Sequence, residues 1–429
     1  MLKVLIITYY WPPAGGPGVQ RWLKFVKYLR DFDIEPVIYI PENPTYPLID
    51  DSLLSEIPDG VTILKNSIFE PYRFAQVFSK KESKTISKGI IANKNKQSLV
   101  QKLLLFVRGN FFIPDARKFW VKPSVTYLKK YISENNIDTI ITTGPPHSVH
   151  LIGKGLKDKL GIRWLADFRD PWTTIGYHDK LKLTKRSIRK HKSFEKEVLT
   201  TSDHVIVTSF RTKTEFENIT TKPISVITNG YDKETILETI LDSKFTISHI
   251  GSLLSGRNPR NLWKALYEIA EENKEFAKMF QLQLIGAVSN DVLVSIKEAG
   301  LSSFLNMQGY VSHNKAIELQ RSSSLLLLVE IDSEETKSII PGKLFEYMVS
   351  KRPIIALGPK DADISILIKE TNSGKFFEYH EFEALKASIL EAFINHKEGK
   401  LVSNVNGIER YSRRELTKSL SGIIKNDRM

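Results

Sequence analysis

Two series of short apolar runs, each run followed by a segment of helical periodicity, constrain this chain more than any other feature. Lys3–Tyr10, Pro36–Pro41, Val61–Lys65, Asp138–Thr143, Arg163–Phe168, His204–Ser209 and Pro223–Thr228 form the first series. Phe245–Ile250, Gln281–Ile285, Leu305–Val311, Leu325–Glu330, Pro353–Leu357 and Lys375–Phe377 form the second. Runs this continuously apolar suit strands covered on both faces, and strands separated by helices form parallel sheets. The alternation predicts an α/β protein of two doubly wound, Rossmann-like domains facing across a cleft. The expected boundaries are 1–233 for the first domain, with an insert at about 73–122, then 245–405 for the second. Residues 406–429 read as a C-terminal helix packing back on the first domain, and Glu234–Asp242 as a helical linker.

Composition excludes several classes. With 41% hydrophobic and 26% charged residues the chain is globular rather than disordered. There is no cysteine, hence no disulfide framework, thiolate metal site or cysteine nucleophile, which fits a reducing cytoplasm. The opening MLKVLIITYYWPP lacks a small-residue cleavage site and reads as a first strand, not a signal peptide. No apolar run reaches the ~18 residues of a membrane span. The net charge of +13 is concentrated: Arg73 to Lys130 holds 14 Lys and Arg against Glu82 and Asp115, a local net of +12. A second basic cluster runs from Lys180 to Lys196. Without a helix-turn-helix, zinc-finger or stacked-aromatic signature, no nucleic-acid partner is expected. Basic residues interleaved with Leu99–Val107, Phe111, Phe112, Ile113, Phe119 and Trp120 fit an anionic membrane surface better, or else a core-facing helix with a solvated basic side.

Several stretches carry candidate chemistry. After the first strand comes Trp11-Pro-Pro-Ala-Gly-Gly-Pro-Gly18, then Val19, Trp22, Leu23, Val26 and Leu29 on one helical face. Strand, glycine loop and helix place backbone amides at a helix N-terminus, where they can hold an anion. A tight βα turn also needs glycine for its geometry alone, and the spacing does not match Gly-x-Gly-x-x-Gly. Gly144-Pro-Pro-His-Ser148 and Asp167-Phe-Arg-Asp-Pro-Trp172 lie at strand ends, where doubly wound folds bind ligands. Equally, His147 can cap the next helix, and Asp167, Arg169 and Asp170 can close their loop with a salt bridge. Thr336–Gly358 (TKSIIPGKLFEYMVSKRPIIALG) reads as loop, helix, turn and strand. Pro341 and Gly342 break the preceding segment, Leu344, Phe345, Met348 and Val349 give the helix an apolar face, and Glu346 lies off that stripe.

This last stretch, with its Pro-x-Lys-x-x-Glu-Tyr helix followed by Pro-Ile-Ile-Ala, resembles the nucleotide-sugar-binding motif of family 4 glycosyltransferases of the GT-B fold. Gly15-Gly16, Asn229-Gly-Tyr-Asp232, Gly251 to Arg257 and Gly309-Tyr310-Val311 add to the resemblance, which spans essentially the whole chain. The resemblance implies a nucleotide-sugar donor bound by Gly251, Ser252, Ser338, Pro341, Gly342, Leu344 and Glu346, with Gly15 and Gly16 approaching its diphosphate. Glu346 takes the position of the carboxylate that accepts from the ribose diol, a role for an acceptor-only group. Ser252 and Arg257 stand where the family has a diphosphate-holding Arg and Lys, and Ser338 where it often has a first Glu. The catalytic set is then Arg257, Lys343, Asp167 and Asp170. The implied reaction is retaining hexosyl transfer in polysaccharide biosynthesis, to a glycan or lipid-linked acceptor of the cell envelope, in the cytoplasm or on the inner membrane face. The leaving phosphate takes the acceptor proton, and no cofactor or metal takes part. Asp361-Ala-Asp363 looks like the Asp-x-Asp metal motif of another glycosyltransferase fold, but after Gly358-Pro359 it reads as a helix cap. Two alternatives stay open: a sugar-nucleotide epimerase using His147 and Asp170, and a noncatalytic basic adaptor on a membrane or nucleic acid.

Overall fold

The computed structural model describes residues 1–71, 99–174, 178–232 and 239–425. The chain divides into two compact units, Met1–Thr228 with Arg413–Met429, and Asn229–Ser412. In the first, β1 (Leu2–Thr8), β2 (Ile34–Pro41), β3 (Thr62–Asn66), β4 (Thr139–Gly144), β5 (Arg163–Phe168), β6 (His204–Val207) and β7 (Ile224–Val226) form one sheet. Its order is β3-β2-β1-β4-β5-β6-β7 and every pairing is parallel. Helices α1 (Pro17–Leu29), α2 (Leu99–Phe111), α3 (Lys118–Glu134), α4 (Ser148–Leu160) and α5 (Lys185–Thr201) belong to this unit.

Strand alternation sorts the core into two layers. Leu5 and Ile7 of β1 join Trp120 and Leu128 of α3 and Val149 and Ile152 of α4. Val4 and Ile6, pointing the other way, join Trp22, Leu23 and Val26 of α1 with Leu416, Leu420 and Ile424 of the C-terminal helix Arg413–Lys425. Arg163 at the start of β5 donates to the carbonyls of Ile423 (2.8 Å) and Ile424 (2.6 Å), groups a helix end would otherwise leave unpaired.

In the second unit β8 (Phe245–Ile250), β9 (Phe280–Ile285), β10 (Leu305–Gln308), β11 (Leu325–Val329), β12 (Ile354–Gly358) and β13 (Gly374–Glu378) form a parallel sheet of order β10-β9-β8-β11-β12-β13. All five residues of β11, LLLLV, are buried, as a strand with helices on both faces requires. In both sheets the strand order reverses beside the first strand, between β1 and β4 and between β8 and β11. The C-terminal ends of those pairs are where an open α/β sheet leaves a crevice.

All thirteen apolar runs form strands, with ends displaced by at most three residues. The sequence from about Lys180 to Thr200 reads as one long polar helix, but the helix begins at Lys185, because the turn His178–Leu181 intervenes, Lys182 takes a left-handed φ of 50°, and Thr184 caps the helix by accepting from Ser187 N. Of the expected linker helix, residues 233–238 lie outside the described residues and 239–242 carry no helix. The Lys-rich part of the insert, residues 72–98, also lies outside them.

Burial predicts a sharp contrast within one residue type. Leu327 on β11 is 0% exposed and Leu103 on α2 is 61% exposed. Leu327→Ala should cost about 2–5 kcal/mol, whereas Leu103→Ala should stay within about 0.5 kcal/mol. Urea unfolding of the two variants measures this, and equal midpoints would contradict the assigned core.

Candidate functional site

In the second unit, a group of charged side chains gathers at the ends of β8 and β11. His249, the penultimate residue of β8, is fully buried, and its Nδ1 lies 2.9 Å from the carbonyl oxygen of Leu327 on β11. A carbonyl only accepts, so Nδ1 carries the proton and Nε2 is left as an acceptor. Lys343 Nζ approaches that nitrogen at 3.4 Å. Burial first, then the neighbouring Lys343 cation, pushes the His249 pKa down to about 3, so the ring is neutral.

Lys343 lies in the first turn of α6 (Gly342–Val349). That helix is fixed by Tyr347, whose hydroxyl accepts from Ile250 N at 2.9 Å and donates to Ile250 O at 3.2 Å. The ammonium passes so close to the β8 loop that a Cβ at Gly251 would lie 2.8 Å from Nζ. Gly251 also has a φ of +120°, so only glycine fits there. Burial lowers the Lys343 pKa to about 8, with Glu330 opposing and Arg257 adding to the fall.

Glu330 follows β11 and is 2% exposed, and Arg257 Nη2 lies 3.2 Å from its Oε2. Burial raises the Glu330 pKa, and Arg257 holds it back. Two cations, Arg257 and Lys343, thus face one buried carboxylate beside the glycine turn, and the surplus positive charge suits an anion. Glu346 stands three residues after Lys343 on α6, half-buried, its Oε2 accepting from Gln320 Nε2 at 3.2 Å. Ser252 is exposed on the β8 loop and Ser338 half-buried on the approach to Pro341. Leu344 is wholly inside the core, so any ligand contact it makes is through its backbone.

His249 and Glu330 are the members that sequence reasoning missed. Glu330 had a signal: a lone carboxylate ending the run LLLLVE must find a cation. His249, mid-strand in FTISHI, had none.

The first unit holds its own group at the ends of β1, β4 and β5. Gly15 N donates to Leu48 O at 3.0 Å, and Gly16, with φ +108°, precedes α1. Asp167 is completely buried and its oxygens are engaged by Arg21 Nη2 (3.0 Å), Trp22 Nε1 (2.8 Å) and Thr143 Oγ1 (2.8 Å). Its ion-pair partner is therefore Arg21 of α1, not the adjacent Arg169. Arg169 instead donates to the carbonyls of Gly144 (3.2 Å) and Pro145, with Gly18 of α1 leaving room for its guanidinium. Asp170 is half-buried, and desolvation raises its pKa against the pull of Arg169. His147 does not cap α4 with its side chain: Asp115 Oδ2 accepts from Ser148 N at 2.9 Å. The His147 ring stacks on Trp172 at 4.8 Å and 6°, with neither nitrogen hydrogen-bonded. Asp363 lies in the first turn of the helix Asp363–Thr371. Among the described residues no group of three or more His, Asp or Glu is arranged to hold a metal ion.

No protein-family model matches this chain, and no curated protein matches it. Among solved structures it is similar to sucrose-phosphate synthase from Thermosynechococcus elongatus, at a TM-score of 0.63 and 12% identity over 99% of both chains. It is similar also to Staphylococcus aureus TarM, solved with fondaparinux, α-GlcNAc-glycerol and UDP, at a TM-score of 0.60 and 13% identity over 98% of this chain and 99% of that one. A Listeria monocytogenes protein assigned as a UDP-N-acetylglucosamine 2-epimerase gives 0.56 and 12% over 99% and 96%. At such identities the likeness shows the fold, two parallel-sheet α/β domains.

The buried imidazoles give a pH dependence. Burial holds His150 at about 3 and His178 at about 4, both below the ordinary 6.5, and depresses His147 too. The unfolded chain would charge these rings below about 6.5 while the folded chain keeps them neutral. Unfolding then takes up protons, and each ring withdraws up to about 1.4 kcal/mol of stability per pH unit as the pH falls from 6.5 toward its folded value. His150→Gln should therefore show a shallower loss of stability between pH 6.5 and 4 than the wild type. Parallel pH profiles of urea midpoints would contradict the assignment.

Proposed function

We propose that this protein is a glycosyltransferase that moves a sugar from a nucleotide-diphosphate sugar to a glycan or lipid-linked acceptor of the cell envelope. The observation that carries the reading is the pair Arg257 and Lys343 held around Gly251 at the β8–β11 switch point, with Glu346 one helical turn further along α6. Breaking a sugar–phosphate bond builds negative charge on the departing diphosphate, and preorganised cations stabilise that charge most where water is scarce. Arg257 supplies a fixed fork of donors and Lys343 a point charge. Glu346 takes the ribose hydroxyls, and Ser252, Ser338 and the backbone at Pro341, Gly342 and Leu344 complete the donor contacts. In the first unit the Gly15 amide is already taken by Leu48 O, so the Gly16 amide, just ahead of α1, is the one read as receiving an anionic group.

The reading follows the family 4 resemblance in taking transfer as retaining. The bond from anomeric carbon to phosphate oxygen breaks, the acceptor oxygen bonds the same face of that carbon, and the acceptor proton passes to the leaving phosphate. Positive charge for the leaving group comes from side chains, so the reading needs no metal. Asp170, with its carboxyl raised by burial, is the candidate in the first unit for holding an acceptor hydroxyl. Asp167, sealed by Arg21, Trp22 and Thr143, acts by positioning that loop. An acceptor carried on lipid would place the protein on the inner face of a membrane. The Listeria likeness keeps an epimerase as the second reading, distinguished by incubation with a nucleotide sugar alone: an epimerase converts it and a transferase requires an acceptor.

Two substitutions test the donor site. Glu346→Gln should weaken nucleotide and nucleotide sugar alike by about 1–3 kcal/mol in calorimetric titration, and an unchanged affinity would remove Glu346 from the ribose site. Arg257→Ala strands the Glu330 charge and should destabilise the second unit by on the order of 3 kcal/mol, a loss largely relieved in the double variant with Glu330→Gln. Arg257→Lys keeps the charge and should lower kcat more than it raises the donor KM, whereas a pure KM effect would make Arg257 a ground-state anchor.

A further inference from the structure

The two basic clusters, far apart in sequence, meet in the fold of the first unit. The C-terminal end of α2 packs against the turn that precedes α5. A Cβ at Gly109 would lie 2.7 Å from Leu181 O, and Asn110 donates to Lys182 O at 3.2 Å while accepting from Thr184 N at 2.8 Å. That contact places the end of α2 against the turn from which α5 starts. Leu103, Phe106 and Phe111 of α2 are all exposed. Beside α2, Lys118 donates to Phe111 O at 2.7 Å and lies 5.2 Å over the ring of Phe119, which is exposed and packs edge-on against exposed Phe69 at 5.7 Å. Lys118 also feels the charge of Lys190, in the second turn of α5.

The start of α5 is basic on its outer side. Lys185, Arg186, Arg189 and Lys190 are exposed, as is Ile188 among them, and none of Lys185, Arg186 and Arg189 has an ion-pair partner among the described residues. Of the large apolar side chains expected on this segment, Ile113 and Trp120 are core. Those left outside are the ones beside the cations. Exposed aromatic and aliphatic side chains set among unpaired cations match an interface with an apolar interior and an anionic surface, which is what an acidic lipid bilayer offers.

We propose that this face, made by the exposed residues of α2, Phe119 with Phe69, and the first two turns of α5, docks the protein on an anionic lipid bilayer. Leu103, Phe106, Phe111 and Phe119 enter the interface, and the α5 cations meet the headgroups. The inference deepens the reading of a lipid-linked acceptor, but its test needs neither donor nor acceptor, so the two can fail separately.

The test is co-sedimentation of the full chain with vesicles of phosphatidylcholine containing one-third phosphatidylglycerol, against vesicles of phosphatidylcholine alone. Binding is expected only to the first, declining as sodium chloride is raised and the headgroup attraction is screened. Replacing Lys185, Arg186, Arg189 and Lys190 with Gln should lower partitioning at least about tenfold. Phe106→Ser with Phe111→Ser should lower it at unchanged charge, and nucleotide affinity measured on the same preparations should not move. Equal binding to both vesicles, or none at low salt, overturns the proposal. So does retention on vesicles that ignores the phenylalanine substitutions, or preferential capture by RNA at the same salt, since either would make the face a bare polycation site.

Discussion

A carboxylate that cannot be left alone organises the second unit. Glu330 directly follows a strand whose residues are all apolar, and it is itself buried, so its charge sits where water does not compensate it. Arg257 comes to it from the β8 loop, which is also tied down where Leu253 exchanges backbone hydrogen bonds with Ala287 and Ser289. With Arg257 held there, Lys343 sees a carboxylate on one side and a guanidinium on the other, while the neutral ring of His249 lies beneath. None of these groups alone would make a binding site. Together they hold two half-buried cations in place, and fixed cations can stabilise charge without rearrangement.

The first unit uses the same chemistry to an opposite end. Asp167 also terminates a buried parallel strand, but three donors close around it. Its charge is spent in tying β5 to α1 and, through Arg21 Nη1 to Thr228 O at 2.7 Å, to the point where the chain leaves the unit. The first unit closes three donors around one carboxylate, whereas the second leaves two cations to share one. Neighbouring Asp170 is less completely enclosed, and desolvation raises its pKa.

How much of this was legible in the sequence follows from which forces are local. Strands such as LKVLIIT and LLLLV announce themselves because burial on both faces leaves no polar position to confuse the period. The helix after Pro341 could be read from its one apolar stripe, whereas Lys343 and Glu346 were singled out by the family 4 resemblance. The partnership of Arg21 with Asp167 could not be read, since 146 residues separate them and only the sheet order brings them together. His147 illustrates a competing force: its position favours a cap, but Asp115 takes the amide and the imidazole stacks on Trp172 instead. Likewise the Lys180–Lys196 run gave no hint that it would lie beside the aromatics of α2, because that adjacency depends on Gly109 and Asn110.

The C-terminal helix has a consequence for how the molecule is made. Leu416, Leu420 and Ile424 complete a layer whose other members, Val4, Ile6 and Trp22, are synthesised well before them. Domains generally fold in the order of their synthesis, N-terminal first. Here the earlier unit waits with one apolar face uncovered until the whole of the later unit has been translated. During that interval the nascent chain presents β1 and α1 as a sticky surface, a client for holdase chaperones. A chain stopped anywhere before Arg413 would keep that need for as long as it existed.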